Sequence, residues 1–340
     1  MSEPAKVTSP TAMADLARRP PFFIVGADRS GTTLLRLYLN AHSRLAVPSE
    51  SWFLIDLFAA FGPQARLSGA ELDRAVRIVT QHQRFTDGWH VDAPDLRARL
   101  AAAEPVTLAA FCDRLFRLET GIADDALWGD KTPEYVEHVV DLDRCFPQAH
   151  FINVVRDGRD VYLSLAKRRW SDRGYTPHEL GRYWSRCVRA AEEAQAALGE
   201  ERFLSVAYED LVLATRPTLE RVCVFLGVGF EYRMLSAHDD AGHIITASES
   251  EAGVHEKLFR APRPSDVGRW REVRGDRYLS IAAGVMAAEL KTAGYGDAPG
   301  PLVGAASRAA ALGDHAWRRR LRPGLRRALR RLKRRAHSAA

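Results

Sequence analysis

From residue 22 to residue 39 the chain reads FFIVGADRSGTTLLRLYL. The first five residues are an apolar run that follows two prolines and ends in glycine, a pattern that predicts a buried strand over 22–26. The last eight residues repeat leucine and tyrosine at helical spacing and predict a helix over 32–39. A strand joined to a helix by a short loop predicts the first βα unit of an α/β fold.

The same alternation returns further along the chain. The predicted strands cover 127–129, 150–155 and 203–206, and the predicted helices cover 161–169, 177–198 and 219–226. Strands separated by helices predict a three-layer α/β sandwich with a central parallel sheet and right-handed crossovers. We expect one domain over 21–300, with a mostly helical insertion over 51–120, a flexible segment over 1–20 and a basic tail over 301–340.

Residues 132–134, TPE, have the pattern of a helix start. Thr132 is expected to cap the helix with its hydroxyl, and Pro133 suits the first turn, where its missing N–H costs nothing. Glu134 would lie beside the positive end of the helix dipole. The pattern therefore predicts a helix that begins directly after the strand at 127–129.

The composition is that of a folded globular protein. Hydrophobic residues make up 46% of the 340 residues and charged residues 27%, which excludes disordered, collagen-like and disulfide-scaffold proteins. The four cysteines lie more than 30 residues apart and predict buried thiols rather than a zinc site or disulfides. With no signal-peptide pattern and no apolar stretch of spanning length, we expect a cytoplasmic protein.

The net charge of +6 is unevenly distributed. The segment 317–336 holds ten arginines and one lysine without an acid, which leaves −5 for the rest of the chain. Its leucines recur every three or four residues and predict an amphipathic helix that binds an anionic membrane surface, peripherally on the inner face of the membrane. The alternatives are a solvated tail and, less favoured, nucleic-acid binding, because the basic charge belongs to this tail alone.

Residues 26–33, GADRSGTT, have the outline of a phosphate-binding loop. Backbone N–H groups of residues 30–34 would form an anion-binding nest at a helix N-terminus. Nucleoside triphosphatases place lysine where this chain has Thr32. The loop therefore favours a nucleotide with a 5′ phosphate or sulfate and argues against an ATP- and magnesium-dependent kinase, which stays an alternative.

Residues 29–33, RSGTT, match the (K/R)SGT(T/S) loop of the sulfotransferases that use 3′-phosphoadenosine-5′-phosphosulfate (PAPS), and the chain resembles that family. The motif spacing is most similar to the tyrosylprotein-type and bacterial carbohydrate- or lipid-type enzymes. The resemblance implies a P-loop-hydrolase-like sulfotransferase fold, with PAPS as co-substrate. It also implies that Arg29, Ser30, Gly31, Thr32 and Thr33 bind the 5′ end of this donor.

Further family motifs extend the resemblance over residues 21–295. Arg156 at a predicted strand end and Ser164 eight residues later match the pair that binds the donor's 3′-phosphate. An arginine fork at the carboxyl edge of a parallel sheet suits such an anion. Tyr208 begins a YEDL segment, which in the family follows the strand that leads toward the nucleotide. Arg263, Arg269 and Trp270 belong to the segment RPSDVGRW, which resembles the family's loop that closes over the donor, and all four residues are expected to bind the donor. The resemblance implies that this last segment is a flexible loop.

The resemblance also implies catalytic roles. Arg29 and Lys131, the latter in the segment GDKTP, would neutralise charge on the phosphate and sulfate, so that no metal is required. Glu50 matches the family's catalytic base, and we expect partial burial to raise its pKa. Some family members use a histidine instead, for which His90 and His138 are candidates. Trp52 replaces an arginine of the family motif and leaves the acceptor contacts open.

The reaction implied is transfer of a sulfuryl group from PAPS to an alcohol, phenol or amine. The acceptor would be a small molecule, a glycan, a lipid or a cell-envelope metabolite, and the helical segment 51–120 would shape its pocket. A rival interpretation is a nucleotide- or membrane-binding module of the same fold without transferase activity. The sequence does not define the acceptor or the oligomeric state.

Overall fold

A computed structural model describes residues 19–101, 103–166, 175–239, 260–273 and 275–296 of the chain. The chain divides into two compact units, the first formed by residues 1–156 with 190–267 and the second by residues 157–189 with 268–340. The basic tail over 301–340 and residues 1–18 of the predicted N-terminal segment lie outside the described residues.

A five-stranded parallel sheet forms the centre of the first unit. The strands are β1 (Phe22–Gly26), β2 (Leu45–Ala46), β3 (Arg66–Leu67), β4 (Val106–Thr107), β5 (Leu127–Lys131), β6 (His150–Val155) and β7 (Phe203–Ala207). The sheet has the order β2-β5-β1-β6-β7, while β3 and β4 form a separate antiparallel pair that the sequence patterns missed. The predicted parallel α/β architecture is confirmed.

The helices occupy most of the predicted positions. They are α1 (Thr32–Asn40), α2 (Phe53–Phe61), α3 (Gly69–Thr80), α4 (Gln83–Gly88), α5 (Ala93–Ala101), α6 (Leu108–Thr120), α7 (Val139–Cys145), α8 (Gly158–Ala166), α9 (Pro177–Leu198), α10 (Tyr208–Leu213), α11 (Thr215–Phe225), α12 (Arg277–Val285) and α13 (Ala287–Thr292). Short 3₁₀ helices cover Pro133–His138, Tyr232–Ser236, Pro264–Asp266 and Arg269–Val273. Helices α2 to α6 make the segment 51–120 mostly helical.

Apolar side chains cover both faces of the central sheet. On one face, Ile24 of β1 and Ile152 of β6 belong to a buried cluster that includes α1, α10 and α11. On the other face, Phe23 stacks on Phe151 with ring centroids 5.4 Å apart. Trp128 of β5 stacks on Phe116 of α6 at 4.2 Å. Helices therefore lie on both faces of the sheet, as a three-layer arrangement requires.

Helix α1 is buried more completely than one apolar face would predict. Seven of its nine residues are buried, including Arg36. The Arg36 Nε donates to the Val47 carbonyl at 3.1 Å, which satisfies part of the buried guanidinium. Because α1 begins at the end of the central strand β1, this burial fixes the helix N-terminus against the sheet.

The helix start predicted at Thr132 is correct in position but wrong in mechanism. The segment Pro133–His138 is a 3₁₀ helix, and the Thr132 side chain makes no capping hydrogen bond. Its hydroxyl instead accepts a hydrogen bond from the Ser51 N–H at 3.2 Å. A contact with a residue 81 positions away thus replaces the local cap.

In the second unit, α8 carries a glycine that close packing requires. A Cβ on Gly158 would overlap the side chains of Met286 and Trp184. Asp160, on the first turn of α8, accepts hydrogen bonds from the backbone N–H groups of Gly268 and Trp270, both at 2.9 Å. The segment after Gly268 is therefore hydrogen-bonded to α8.

Candidate active site

The carboxyl end of β1 lies at a crossover point of the sheet. β1 is flanked by β5 and β6, with Ile24 in register with both Lys131 and Ile152. Ligands of open α/β sheets bind outside the carboxyl ends of the strands at such a point. The predicted anion loop leaves β1 here, so the structure places it where a ligand is expected.

Close packing at both ends of the anion loop, residues 26–31, requires glycine. Gly26 has φ +145°, and a Cβ there would come within 2.5 Å of the Val154 carbonyl oxygen. Gly31 has φ +102°, and a Cβ there would overlap the ring of Tyr208. Arg29 also has positive φ, at 68°, which is a strained conformation for arginine. The loop is therefore held in one tight conformation by its neighbours.

The loop can accept an anion at the N-terminus of α1. The Ser30 N–H closes the turn by donating to the Ala27 carbonyl at 3.2 Å, so the N–H groups from Gly31 onward are those at the helix start. No described side chain caps this helix. The Ser30 hydroxyl is completely buried and has no hydrogen-bond partner among the described residues. An oxyanion would satisfy these donors.

Arg156 follows β6 and reaches the anion loop. Its Nη1 donates to the Arg29 carbonyl at 3.3 Å and its Nη2 to the Asp266 carbonyl at 3.0 Å. The guanidinium lies 4.1 Å from the ring centroid of Tyr208. Tyr208 thus packs against both the loop glycine and Arg156. The structure brings together the anion loop, Arg156 and Tyr208.

The segment around Arg263 is ordered by a carboxylate. Asp266 is 4% exposed and accepts the backbone N–H of Arg263 at 3.1 Å and the Arg260 guanidinium at 3.0 Å. The Arg263 side chain is exposed. The predicted closing segment thus contains a hydrogen-bonded 3₁₀ turn over Pro264–Asp266, in which one buried carboxylate accepts several hydrogen bonds.

Glu50 and Lys131 form an ion pair at the carboxyl end of β5. The Lys131 Nζ lies 2.5 Å from the Glu50 Oε1. The Lys131 side chain is 1% exposed and that of Glu50 is 20% exposed. The ammonium is thus held by the sheet and the carboxylate remains reachable, which suits proton transfer at Glu50.

The pKa of Glu50 is lowered, and the expectation of a raised value is wrong. Burial raises this pKa, but the charge and hydrogen bond of Lys131 outweigh it, assisted by a hydrogen bond from Trp52 and the charge of Arg84. The Trp52 Nε1 donates to the Glu50 Oε2 at 3.0 Å. Trp52, which replaces an arginine of the family motif, therefore stabilises the ionised form of Glu50.

Two side chains that sequence reasoning missed anchor the segment that carries Glu50. The Tyr135 hydroxyl lies 2.8 Å from the Ser51 hydroxyl and accepts the Leu54 N–H at 3.3 Å. Both Tyr135 and Ser51 are buried. The TPE pattern after Lys131 predicts a helix start, and no sequence signal marks the tyrosine that follows it.

Two further acids lie around the ion pair. Asp130 is 1% exposed, and burial raises its pKa to about 6. Burial also raises the pKa of Glu134 to about 8, to which the charges of Asp28, Glu50 and Glu137 contribute. One carboxyl oxygen of Glu134 is buried without a hydrogen-bond partner in the described part of the chain. At neutral pH the Glu134 carboxyl is therefore mostly protonated, whereas Asp130 is mostly ionised beside Glu50.

The remaining predicted residues are distributed over both units. His90 is exposed and pairs with Glu119, with 3.2 Å between Nδ1 and Oε1, while His138 ends the 3₁₀ helix after Lys131. Ser164 lies on α8, in the second unit. Arg269 and Trp270 belong to the same unit but lie on the last 3₁₀ helix. The Arg159 guanidinium, bound by Asp157, lies 3.6 Å from the Trp270 ring centroid.

Within the described residues, no group of three or more histidine, cysteine, aspartate or glutamate side chains is arranged to hold a metal ion. The helices in that part of the chain are each too short or too polar to cross a membrane. The four cysteines are buried free thiols, as predicted.

A family model described as "Sulfotransferase family" matches residues 20–232. Protein-tyrosine sulfotransferase A of Caenorhabditis elegans is 25% identical over 239 residues, which cover 69% of this chain and 57% of that protein. Protein-tyrosine sulfotransferase 2 of Gallus gallus is 25% identical over 64% of this chain and 53% of its own length. The chain thus spans about half the length of these curated relatives.

One solved structure has a similar fold over most of its length. It is the sulfotransferase domain from the Synechococcus PCC 7002 olefin synthase, with a TM-score of 0.52 and 25% sequence identity. The superposition covers 74% of this chain and 88% of that domain. The likeness in fold therefore extends over most of both chains.

Proposed function

The chain belongs to the sulfotransferase family, and we propose that it transfers a sulfuryl group from PAPS to an acceptor hydroxyl. One observation carries the proposal: the Glu50–Lys131 ion pair and the anion loop lie at the carboxyl ends of the neighbouring strands β5 and β1. A base, a buried cation and an anion-binding helix start are the groups that sulfuryl transfer to a hydroxyl requires.

The anion loop is proposed to bind the 5′ end of the donor. The backbone N–H groups from Gly31 to Thr33 and the orphaned Ser30 hydroxyl fit an oxyanion at the start of α1. The Arg29 guanidinium would share the charge that develops on the leaving phosphate, as the arginines of phosphoryl-transfer sites do. Thr32 begins the helix where a nucleoside triphosphatase has lysine, which disfavours the kinase alternative.

The 3′-phosphate is proposed to bind Arg156, with Arg263 as a further ligand, and for Ser164 a role in binding this phosphate stays a prediction of the family motif. The Arg156 guanidinium already rests on Tyr208 and is fixed by two carbonyls, so its fork is oriented before a ligand binds. For Arg269 and Trp270, contact with the donor stays a prediction of the family motif.

Glu50 is proposed to take the proton of the acceptor hydroxyl. As the acceptor oxygen bonds to sulfur, the bond between sulfur and the leaving phosphate oxygen breaks, and the proton passes to the Glu50 carboxylate. PAPS supplies the activated sulfuryl group for this step. Lys131, held at the Glu50 carboxylate, would neutralise charge on the transferred group.

The acceptor class is proposed from the chemistry of the base. A carboxylate of lowered pKa is ionised at neutral pH and can accept a proton from a hydroxyl whose acidity rises as it bonds to sulfur. The relatives are named for protein tyrosine, so a phenolic hydroxyl is the first acceptor to test. Glycans and lipids are the other proposed acceptors.

A transfer assay with ³⁵S-labelled PAPS tests the activity. The full chain is incubated with a tyrosine-containing peptide, an oligosaccharide and a glycolipid, and labelled product is measured. Glu50→Gln is expected to lower kcat by about 10²–10⁴-fold, the usual contribution of a general base. The exposed Glu71→Gln serves as the matched control and should keep wild-type rates.

Calorimetry of nucleotide binding separates the alternatives. Adenosine 3′,5′-bisphosphate should bind more tightly than ATP if the chain is a sulfotransferase, whereas preference for ATP with magnesium would favour a kinase. Tight binding of the bisphosphate without transfer to any acceptor of the panel would favour the module that lacks transferase activity.

A further inference from the structure

We propose that Trp52 is a positioning residue that fixes the Glu50 carboxylate for proton abstraction, an inference that rests on the proposed function. Each oxygen of this carboxylate has its own donor. The Lys131 Nζ lies 2.5 Å from Oε1, and the Trp52 Nε1 lies 3.0 Å from Oε2. The two donors come from different elements, so together they define the plane of the carboxylate.

The backbone of Trp52 is strained in order to place the indole. Its φ is +53°, and among the described residues other than glycine only Arg29 of the anion loop shares a positive φ. Such strain persists only where the surroundings enforce it, and it concentrates at functional sites. Here both strained residues belong to the candidate active site.

The surroundings that enforce the strain are hydrogen bonds on either side of Trp52. The Ser51 N–H donates to the Thr132 hydroxyl at 3.2 Å, and the Ser51 hydroxyl lies 2.8 Å from that of Tyr135. The Leu54 N–H donates to the same Tyr135 hydroxyl at 3.3 Å. The segment following β5 therefore clamps the chain before and after the indole.

The indole has a role that Lys131 alone does not fill. Lys131 is proposed to share its charge with the transferred group, which weakens its hold on Glu50 during the reaction. The indole N–H is neutral and does not titrate, so it keeps its hydrogen bond to Oε2 over the working pH range. Trp52 would therefore hold the Glu50 carboxylate in place while Lys131 neutralises charge on the transferred sulfuryl group.

Several charged or titratable groups surround the Glu50 carboxylate and contribute to any pH profile measured at this site. They are Lys131 and Asp130 on β5, Arg84 on α4, Glu134 on the 3₁₀ helix and, beside Glu134, Asp28 on the anion loop. The Arg84 guanidinium lies 5.8 Å from the Trp52 ring centroid. All of these groups stay in place when the indole N–H alone is removed.

The test compares Trp52→Phe with Trp89→Phe. Trp52→Phe removes the N–H but keeps an aromatic ring, so the pKa of Glu50 rises and the acid limb of kcat/KM moves to higher pH by about half a unit or more. We expect kcat to fall about ten-fold, the size of a lost hydrogen bond to a charged group, while the KM for PAPS stays unchanged. The Trp89 N–H is buried without a partner in the described residues, so Trp89→Phe should leave the acid limb in place.

An acid limb that does not move in Trp52→Phe, with kcat within about two-fold of wild type, would overturn the inference. If this variant does not fold, as judged by binding of adenosine 3′,5′-bisphosphate, ¹⁵N–¹H spectra of the wild-type chain replace it. One of the seven indole signals should then titrate with the acid limb, and Glu50→Gln should abolish that titration. The proposal would equally be refuted if none of the seven indole signals changed its pH dependence in Glu50→Gln.

The two proposals fail in different ways. Full activity of Glu50→Gln would refute the base role of Glu50. The hydrogen bond between the Trp52 indole and Glu50 would still be detected in the spectra of the wild-type chain. An inactive Glu50→Gln together with an unchanged profile of Trp52→Phe would refute only the role of Trp52.

Discussion

Single side chains decide the geometry of the anion loop. Gly31 lets the ring of Tyr208 lie directly on the loop, and the same ring carries the Arg156 guanidinium. Arg156 in turn donates to the carbonyl of Arg29 within the loop. The loop, the tyrosine and the arginine are thus one packed unit, so that a change in any of them should disturb the proposed binding of the donor.

We predict that Gly31→Ala destabilises the protein and weakens donor binding. Positive φ and the overlap with Tyr208 together should cost about 2–4 kcal/mol in the free energy of unfolding. The affinity for adenosine 3′,5′-bisphosphate should fall at least about ten-fold, since the N–H groups of the loop shift. Urea unfolding and calorimetry measure the two effects.

Gly62→Ala is the matched control for this change. Gly62 also has positive φ, at +80°, but a Cβ there meets no atom within 4 Å. Its substitution should cost about 1 kcal/mol and leave nucleotide affinity unchanged. Equal effects of the two substitutions would show that the contact with Tyr208 is unimportant.

Arg156→Ala should abolish discrimination for the 3′-phosphate. The wild-type chain is expected to prefer adenosine 3′,5′-bisphosphate over adenosine 5′-monophosphate by about 10–100-fold, the value of a charge-assisted hydrogen-bond fork. The variant should bind both nucleotides equally in calorimetry. Arg144→Ala, which removes an exposed arginine paired with Asp141, should retain the preference. A variant at Arg156 that still discriminates would contradict the assignment.

At the scale of elements, β5 and the 3₁₀ helix after it organise the candidate site. β5 presents Lys131 at its carboxyl end, and the following residues Thr132 and Tyr135 hold the segment that carries Glu50. The same strand buries Asp130 beside the ion pair. A short strand therefore positions the cation and, through the turn that follows, the base.

Asp130 makes β5 a source of pH-dependent stability. Its pKa is about 6 in the folded protein, above the ordinary value of 3.8, so the folded state binds the proton more tightly than the unfolded chain. Stability should therefore fall as pH rises from about 4 to about 6 and stay lower above that range. Asp130→Asn mimics the protonated group and should stabilise the protein by roughly 1–3 kcal/mol at pH 8, with little effect at pH 4.

Urea unfolding at the two pH values measures this difference. Asp95→Asn, at an exposed acid paired with Arg99 on α5, is the control and should change stability by less than about 0.5 kcal/mol at both pH values. If Asp130→Asn were less stable than wild type at pH 8, the burial of a charged carboxylate would not be the cause of the raised pKa.

The elements were largely predictable because their signals are local. The run FFIVG, the glycines of the loop and the 22-residue helix α9 each carry their pattern within a few turns of sequence. Contacts across long separations were not predictable. The hydroxyl of Thr132 binds Ser51 rather than capping its own helix, and the lowered pKa of Glu50 depends on Lys131, 81 residues away.

In the candidate site too, residues in local motifs were predictable and the contacts between them were not. Arg29, Glu50, Lys131 and Arg156 were proposed from motifs, and the structure brings Glu50 to Lys131 and Arg156 to the backbone of Arg29. The hydrogen bond from Trp52 needs a positive φ, which no sequence pattern indicates for tryptophan. The assignments to substrate contacts stay predictions until a nucleotide is bound.

For the whole molecule, the distribution of charge separates the tail from the rest. The segment 317–336 carries +11 and the remaining chain −5, so the two parts should respond to an anionic surface in opposite ways. Its leucines, spaced by three and four residues, would add an apolar stripe. This segment lies outside the described residues, and its membrane role stays a prediction of the sequence.

We predict that the full chain binds vesicles containing phosphatidylserine and that a chain ending at Gly313 does not. Each basic residue near an anionic lipid surface contributes about 1 kcal/mol, so eleven cations should give binding that weakens strongly with added salt. Flotation with phosphatidylcholine vesicles is the control and should leave both chains unbound. Because the truncation removes the basic segment but none of the described residues, transfer activity toward a soluble acceptor should be the same for both chains. Equal flotation of the two chains on anionic vesicles would refute the membrane role, and retention of the full chain on duplex DNA alone would favour nucleic-acid binding instead.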